Sequence, residues 1–232
     1  MMQTSEGMAV VKQQRAMVTR DRILLGAAQV FDRYGYSTTT LNDVIAKAGV
    51  TKGALYFHFT SKEDLASAVI EQQHALSVTP ARLLLDESRP GGLESVIRLS
   101  QGLARQLTSD VIVRAGIRLT LEQSTFGGSV SNPYREWGEV IEQLLRRAIA
   151  EGAVSDSIKP EALARFVVGA FTGVQLLSEV LSGREDLRRR VEEMWEILLP
   201  SLVPTRKLPH FRRLAAAIFS QNSHVSGEGG SS

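Results

Sequence analysis

Between Thr40 and Lys62 the chain gathers side chains suited to gripping a polyanion. Lys52 can reach a phosphate or a guanine edge, Gly53 lets a backbone come close, and Tyr56 and His58 can donate to phosphate oxygens or pack on a thymine methyl. Thr40 and Thr51 add short hydroxyls, and Lys62 adds a second ammonium. Each of these has an ordinary alternative. A lone lysine is usually solvated, and Tyr56-Phe57-His58-Phe59 reads equally as a core cluster. The combination and its spacing carry the argument.

Those residues need two short helices and a tight turn. Thr40 accepts at a helix start and Asp43, three positions on, completes an approximate capping box. Leu41, Val44, Ile45 and Ala48 then share a face. Gly49 stands where a left-handed residue ends a helix, and Thr51 can cap the next one. That second helix has only Ala54, Leu55 and Phe57 or Phe59 to bury, so its other face is polar and aromatic. Ser61 begins a further helix with Lys62 in its first turn, where a cation opposes the helix dipole and a neighbouring polyanion would explain it. This is helix-turn-helix punctuation.

From Thr40 through Leu65 the chain resembles the DNA-binding domain of the TetR family of bacterial repressors, with the pattern Thr-x-x-x-Ile-Ala-x-x-Ala-Gly-Val-x-x-Gly-x-Leu-Tyr-x-His-Phe-x-x-Lys-x-x-Leu. The resemblance implies an all-α chain, in which a three-helix DNA-binding domain precedes a larger helical ligand-binding and dimerisation domain. It implies a homodimer joined by a four-helix bundle. The DNA-facing set would be Thr40, Thr51, Lys52, Gly53, Tyr56, His58 and Lys62, with Arg20 and Arg22 also on the DNA side.

Composition agrees. The 232 residues are 43% hydrophobic, enough for a sizeable core, and lack cysteine, which excludes disulfides and thiol chemistry and fits a reducing cytoplasm. Net charge is only +2. To Lys62, however, Lys12, Arg15, Arg20, Arg22, Arg33, Lys47, Lys52 and Lys62 face only Glu6, Asp21, Asp32 and Asp43, an excess that marks the anion-facing end. His58, His74, His210 and His224 have no metal-ligand spacing, and no nucleophile-base set is visible. An enzyme, a cofactor and a membrane span are not expected.

Four segments are expected: a flexible arm over 1–17, a DNA-binding domain over 18–64, a ligand-binding and dimerisation domain over 65–219, and a disordered Ser/Gly-rich tail over 220–232. Helices are read at about 18–34, ended by Gly35, and from Ser61 toward Leu85, with Leu65, Ala68, Val69 and Gln72 on one face. After a break at Arg89-Pro-Gly-Gly, Leu93 to Leu107 and a helix capped by Asp110 follow. A loop over 123–133 precedes helices at 134–150, 161–181, 184–202 and 211–219.

The body resembles a subgroup, the γ-butyrolactone autoregulator receptors of actinomycetes, through Val113-Arg-Ala-Gly-Ile-Arg-Leu, Pro133-Tyr-Arg-Glu-Trp137 and Glu193-Met-Trp195-Glu-Ile-Leu. That resemblance implies release of operator DNA when a small lactone accumulates, and it places the ligand tryptophan at Trp137. An indole can cover a lactone ring. Thr172 and Gln175, polar in an apolar run, can point into the same cavity; alternatively Thr172 bonds its own helix and Gln175 faces solvent. Ile117, Leu121, Val168 and Phe171 would complete an apolar wall, and Trp195 belongs to core or dimer interface. Related pseudo-receptors answer to antibiotics or biosynthetic intermediates instead, and the basic pI of about 9.0 is a family trait of that group.

Overall fold

The computed structural model describes residues 3–86, 90–122 and 133–220. Among them every regular element is helical: α1 Gln3–Thr38, α2 Leu41–Ala48, α3 Lys52–His58, α4 Lys62–Arg82 with a 3-10 turn at Leu83–Leu85, α5 Gly92–Ser109, α6 Val111–Leu121, α7 Pro133–Ala150, α8 Pro160–Ser182, α9 Leu187–Leu202 and α10 Leu208–Ser220. Arg89 and the expected tail beyond Ser220 lie outside the described residues, as does all of the expected 123–133 loop but its last residue.

The first departure from expectation is at the N-terminus. Helix α1 takes in most of the expected arm. Its early sequence is rich in Ala, Gln, Lys, Arg and Met, good helix formers, yet Val10, Val11, Met17 and Val18 are exposed. The missing apolar face therefore signals missing packing and not missing helix. Gly35 interrupts α1 as expected, at φ 78 and ψ 178, but the chain resumes helical turns to Thr38.

Two compact units emerge, and they are not contiguous in sequence. The first comprises residues 1–76 and 110–132, the second 77–109 and 133–232. The boundary expected at 64/65 is displaced because α6 packs on α1: Ala115 and Leu119 are fully buried in one core with Ile23, Ala27, Phe31, Val44, Leu55 and Leu65. Close approach needs Gly116, where an added Cβ would lie 2.3 Å from Gln73 Cβ on α4. On α4 the inner face takes Gln73, and Gln72 is exposed.

An ion pair and two hydrogen bonds tie the α6 end of the unit to the end of α1. Arg114 Nε meets Asp32 Oδ2 at 2.9 Å, and Arg118 donates to the Asp32 carbonyl at 2.7 Å. Glu122 accepts from the Tyr36 backbone N–H at 2.8 Å, satisfying a donor freed by the Gly35 kink.

In the second unit α5 packs on α7, α9 and α10, while α8 packs on α7 and α9. Trp195 is fully buried, and its indole N–H donates to Ser100 Oγ at 2.8 Å, which is the expected core role. Gly183, left-handed at φ 59, ends α8. Asp186 fastens the elbow to α9, accepting from Ser178 (2.6 Å), Ser182 (2.7 Å) and Arg190 (2.7 Å). Hydrogen bonds from the two serines, then Arg190, hold its carboxyl well below the usual carboxylate range.

Helix α8 is long and apolar enough to cross a membrane by length and composition alone. Its outer face leaves Phe166, Leu177, Val180 and Leu181 exposed, Val180 by 80%.

Candidate nucleic-acid interface and effector site

Local chemistry fixes the reading head as the sequence suggests. Thr40 Oγ1 accepts from the Asp43 N–H at 3.3 Å and the Thr40 N–H donates to Asp43 Oδ2 at 2.9 Å, a complete capping box. The same carboxylate takes the Thr40 hydroxyl proton at 2.6 Å, and these bonds lower the Asp43 pKa. Gly49 is left-handed at φ 62. Thr51 Oγ1 accepts from the Ala54 N–H at 3.2 Å. Thr40 thus spends its hydroxyl proton on Asp43, whereas Thr51 uses its oxygen and keeps a proton to donate.

Helix α3 buries Leu55, and Phe59, the extended residue that follows its last turn, is buried as well. Lys52, Gly53, Tyr56 and Phe57 consequently share the solvent face, and His58 is half-buried. An added Cβ on Gly53 would meet nothing within 4 Å, so its backbone stands open to close approach. Lys52 Nζ lies 5.9 Å from the Tyr56 ring centroid, leaving the ammonium exposed at the edge of the strip. Of the two phenylalanines left open by the sequence, Phe59 is core. Phe57 is 77% exposed, a surface position that its apolar side chain does not signal in the sequence.

Lys62 has partners within the fold. Its ammonium donates to the Tyr36 carbonyl at 2.9 Å and the Thr39 carbonyl at 3.0 Å, and it sits 4.2 Å from the Tyr36 ring centroid. The charge caps the carbonyl end of α1, which is where a cation belongs. No polyanion is needed to explain it. Arg22 behaves likewise, donating to the Ala48 and Gly49 carbonyls at 3.0 and 3.1 Å, while Arg20 lies over the Phe59 ring at 5.3 Å.

The effector candidates divide between the units. Ile117, half-buried, and Leu121, 41% exposed, sit on α6 in the first unit. Trp137 on α7 and Val168, Phe171, Thr172 and Gln175 on α8 belong to the second unit, where α7 and α8 pack together. Trp137 is half-buried. Thr172 Oγ1 donates to the Val168 carbonyl at 2.8 Å, so it does bond its own helix. It is also hydrogen-bonded to Tyr134, whose hydroxyl pKa burial raises against that bond.

Gln175 does not face solvent. It is 2% exposed, and its Oε1 meets no hydrogen-bond partner among the described residues. Tyr134, outside the expected set, stands one helical turn before Trp137 and so shares its face. A groove between α9 and α10 is lined by Glu192, Glu196 and Arg212 together with Leu199, Ala215 and Ala216, and it contains none of the expected effector residues.

A capped helix-turn-helix with an open, basic and aromatic face defines a DNA-reading transcription regulator. Residues 23–69 match the family described as bacterial regulatory proteins, tetR family, and residues 90–204 match the tetracyclin repressor-like C-terminal domain. The A-factor receptor protein of Streptomyces griseus is 38% identical over 203 residues, covering 88% of this chain and 70% of that protein. CprB from S. coelicolor A3(2) is 37% identical with a TM-score of 0.78, covering 89% of this chain and 99% of that structure. CprB has also been solved with its biological operator sequence, at 37% identity and a TM-score of 0.76, covering 89% of this chain and 98% of that one. The chain belongs to the TetR family, and it is a transcriptional repressor, not an enzyme.

Proposed function

We propose that this repressor is a cytoplasmic homodimer that holds a palindromic operator and releases it when a γ-butyrolactone or butenolide fills a site at α7 and α8, thereby controlling secondary-metabolite genes. The observation that carries the effector reading is Gln175. A buried amide oxygen without a partner costs about 1–3 kcal/mol, and a ligand hydroxyl donating to it would recover that cost. Its NH2 can donate to a lactone carbonyl. Trp137 offers an indole face to the ring, with Phe171 and Val168 beside an alkyl chain. The A-factor receptor and structures described as γ-butyrolactone receptors are relatives of this chain, which supports that ligand class.

The exposed strip Phe166, Leu177, Val180 and Leu181 on α8 supports two-fold pairing. Covering it with a second copy accounts for an apolar helix without a membrane. Two reading heads would then meet half-sites about 34–36 Å apart or somewhat more. On the DNA side Thr40, Thr51, Lys52, Gly53, Tyr56 and His58 remain the proposed set, with Lys62 holding the end of α1. Ligand shifts the population away from the operator-spaced form, with a coupling of about 1–3 kcal/mol per site.

The basic pI supports a second reading, in which the effector is an antibiotic or biosynthetic intermediate. Thermal-shift screening separates the two. A lactone at 100 times its Kd adds about 2.7 kcal/mol to folded-state stability, a rise of roughly 5–10 °C for a chain of this size. A shift given only by antibiotics would replace the lactone reading with the second.

A further inference from the structure

We propose that Phe57 is itself a base-reading residue, whose ring packs on a thymine C5-methyl in the major groove and gives each half-site a thymine preference. The inference rests on the operator-binding reading above. Phe57 is the most exposed aromatic side chain among the described residues, at 77%. It lies on α3's outward face with Lys52, Gly53 and Tyr56, because Leu55 takes the inward one and Phe59 is buried just past the helix end. Single exposed apolar residues are common and need no explanation by themselves. This one stands on the face that enters DNA, and its ring is held edge-on to His58, with centroids 5.0 Å apart and planes at 84°. A held ring has less freedom to lose on binding.

The chemistry selects the partner. Phenyl has no donor for phosphate or for a base acceptor, unlike Tyr56 one position earlier. Among base edges in the major groove the thymine methyl is the apolar feature. Gly53, one turn before Phe57 and open above its Cα, lets α3 approach closely enough for a short side chain to reach the groove floor. Phe57 lies five positions after Lys52, about 7.5 Å along the helix, or roughly two base-pair steps. The thymine should therefore lie about two steps from the base or phosphate that Lys52 contacts.

The test starts from duplexes selected by the wild-type chain from a random pool. Each thymine of the selected operator is replaced singly by uracil, which removes only the methyl, and affinity is measured for wild type, Phe57→Ala and Phe57→Leu. The expected result is a loss of roughly fourfold per half-site at one thymine position for wild type. Phe57→Ala should bind weaker and be indifferent to uracil there, Phe57→Leu should keep part of the effect, and all three should melt alike. Wild-type indifference to uracil at every thymine, or full sensitivity in Phe57→Ala, would overturn the proposal. So would uracil-indifference combined with a changed oligomeric state in Phe57→Ala, which would assign the ring to a protein contact. If wild type selects no duplex at all, the operator-binding reading fails and takes this inference with it, a result distinct from selection without methyl sensitivity.

Discussion

Replacing Lys62 with methionine separates a structural ammonium from a DNA contact. In the folded chain this ammonium makes bonds of 2.9 and 3.0 Å to two carbonyls and lies 4.2 Å from the Tyr36 ring centroid. Charge-assisted bonds contribute about 1.5 kcal/mol each at the lower end of their range. Methionine keeps the apolar stem, and water reaches part of this half-buried site, so we expect a net loss of about 2 kcal/mol. For a chain of this length that lowers Tm by roughly 4–8 °C. The second arm is the salt dependence of operator binding, measured well below the variant's Tm. Each phosphate contact contributes about 0.9 to the slope of log affinity against log salt, so a residue touching phosphate in both heads contributes about 1.8. Lys62→Met should leave that slope unchanged, whereas Lys52→Ala should reduce it by up to about 1.8. Wild-type stability together with a slope reduced by about 1.8 would refute the helix-capping role and restore Lys62 to the DNA-facing set.

Gln175→Leu removes an unpartnered buried amide, so its Tm should equal or exceed wild type while lactone-induced stabilisation disappears; a lower Tm with intact lactone response would remove Gln175 from the effector site. Val180→Glu with Leu181→Glu should yield monomers by analytical ultracentrifugation and weaken operator binding more than tenfold, and an unchanged dimer would move the interface elsewhere. Asp186, whose pKa is depressed in the folded chain, contributes stability that is complete above the unfolded value of about 3.9 and fades as pH falls through the folded one. The stability gap between wild type and Asp186→Asn should therefore be widest near neutrality and shrink below about pH 4; a pH-independent gap would contradict that linkage.

What the sequence revealed was local. The caps at Thr40 and Thr51, the left-handed Gly49 and the break at Gly35 depend on neighbours a few positions away, so their chemistry can be read along the chain. The role of Lys62 was not legible, because its acceptors at Tyr36 and Thr39 are more than twenty positions distant. Phe57 and Phe59 look alike in sequence; only the direction of Leu55 decides which one faces the core. Helix α6 reads as part of the body until Ala115 and Leu119 are seen in the core that also holds Phe31. Trp195 differs from Trp137 through Ser100, a partner 95 positions away. At the proposed effector site, residue types point to Trp137, Thr172 and Gln175, but the burial of Gln175 and the bond between Thr172 and Tyr134 come with the packing of α7 on α8.

Operator release is the behaviour that links the effector residues to the DNA-binding helices. Fluorescence anisotropy of a labelled operator bound by the dimer, titrated with γ-butyrolactones, should fall to the free-DNA value for wild type, with a coupling of roughly 5–150-fold in affinity. Trp137→Ala should bind the same operator and stay bound at those concentrations. Wild-type protein that binds a lactone yet keeps its operator, or a Trp137→Ala variant that lets go at wild-type concentrations, would contradict the account.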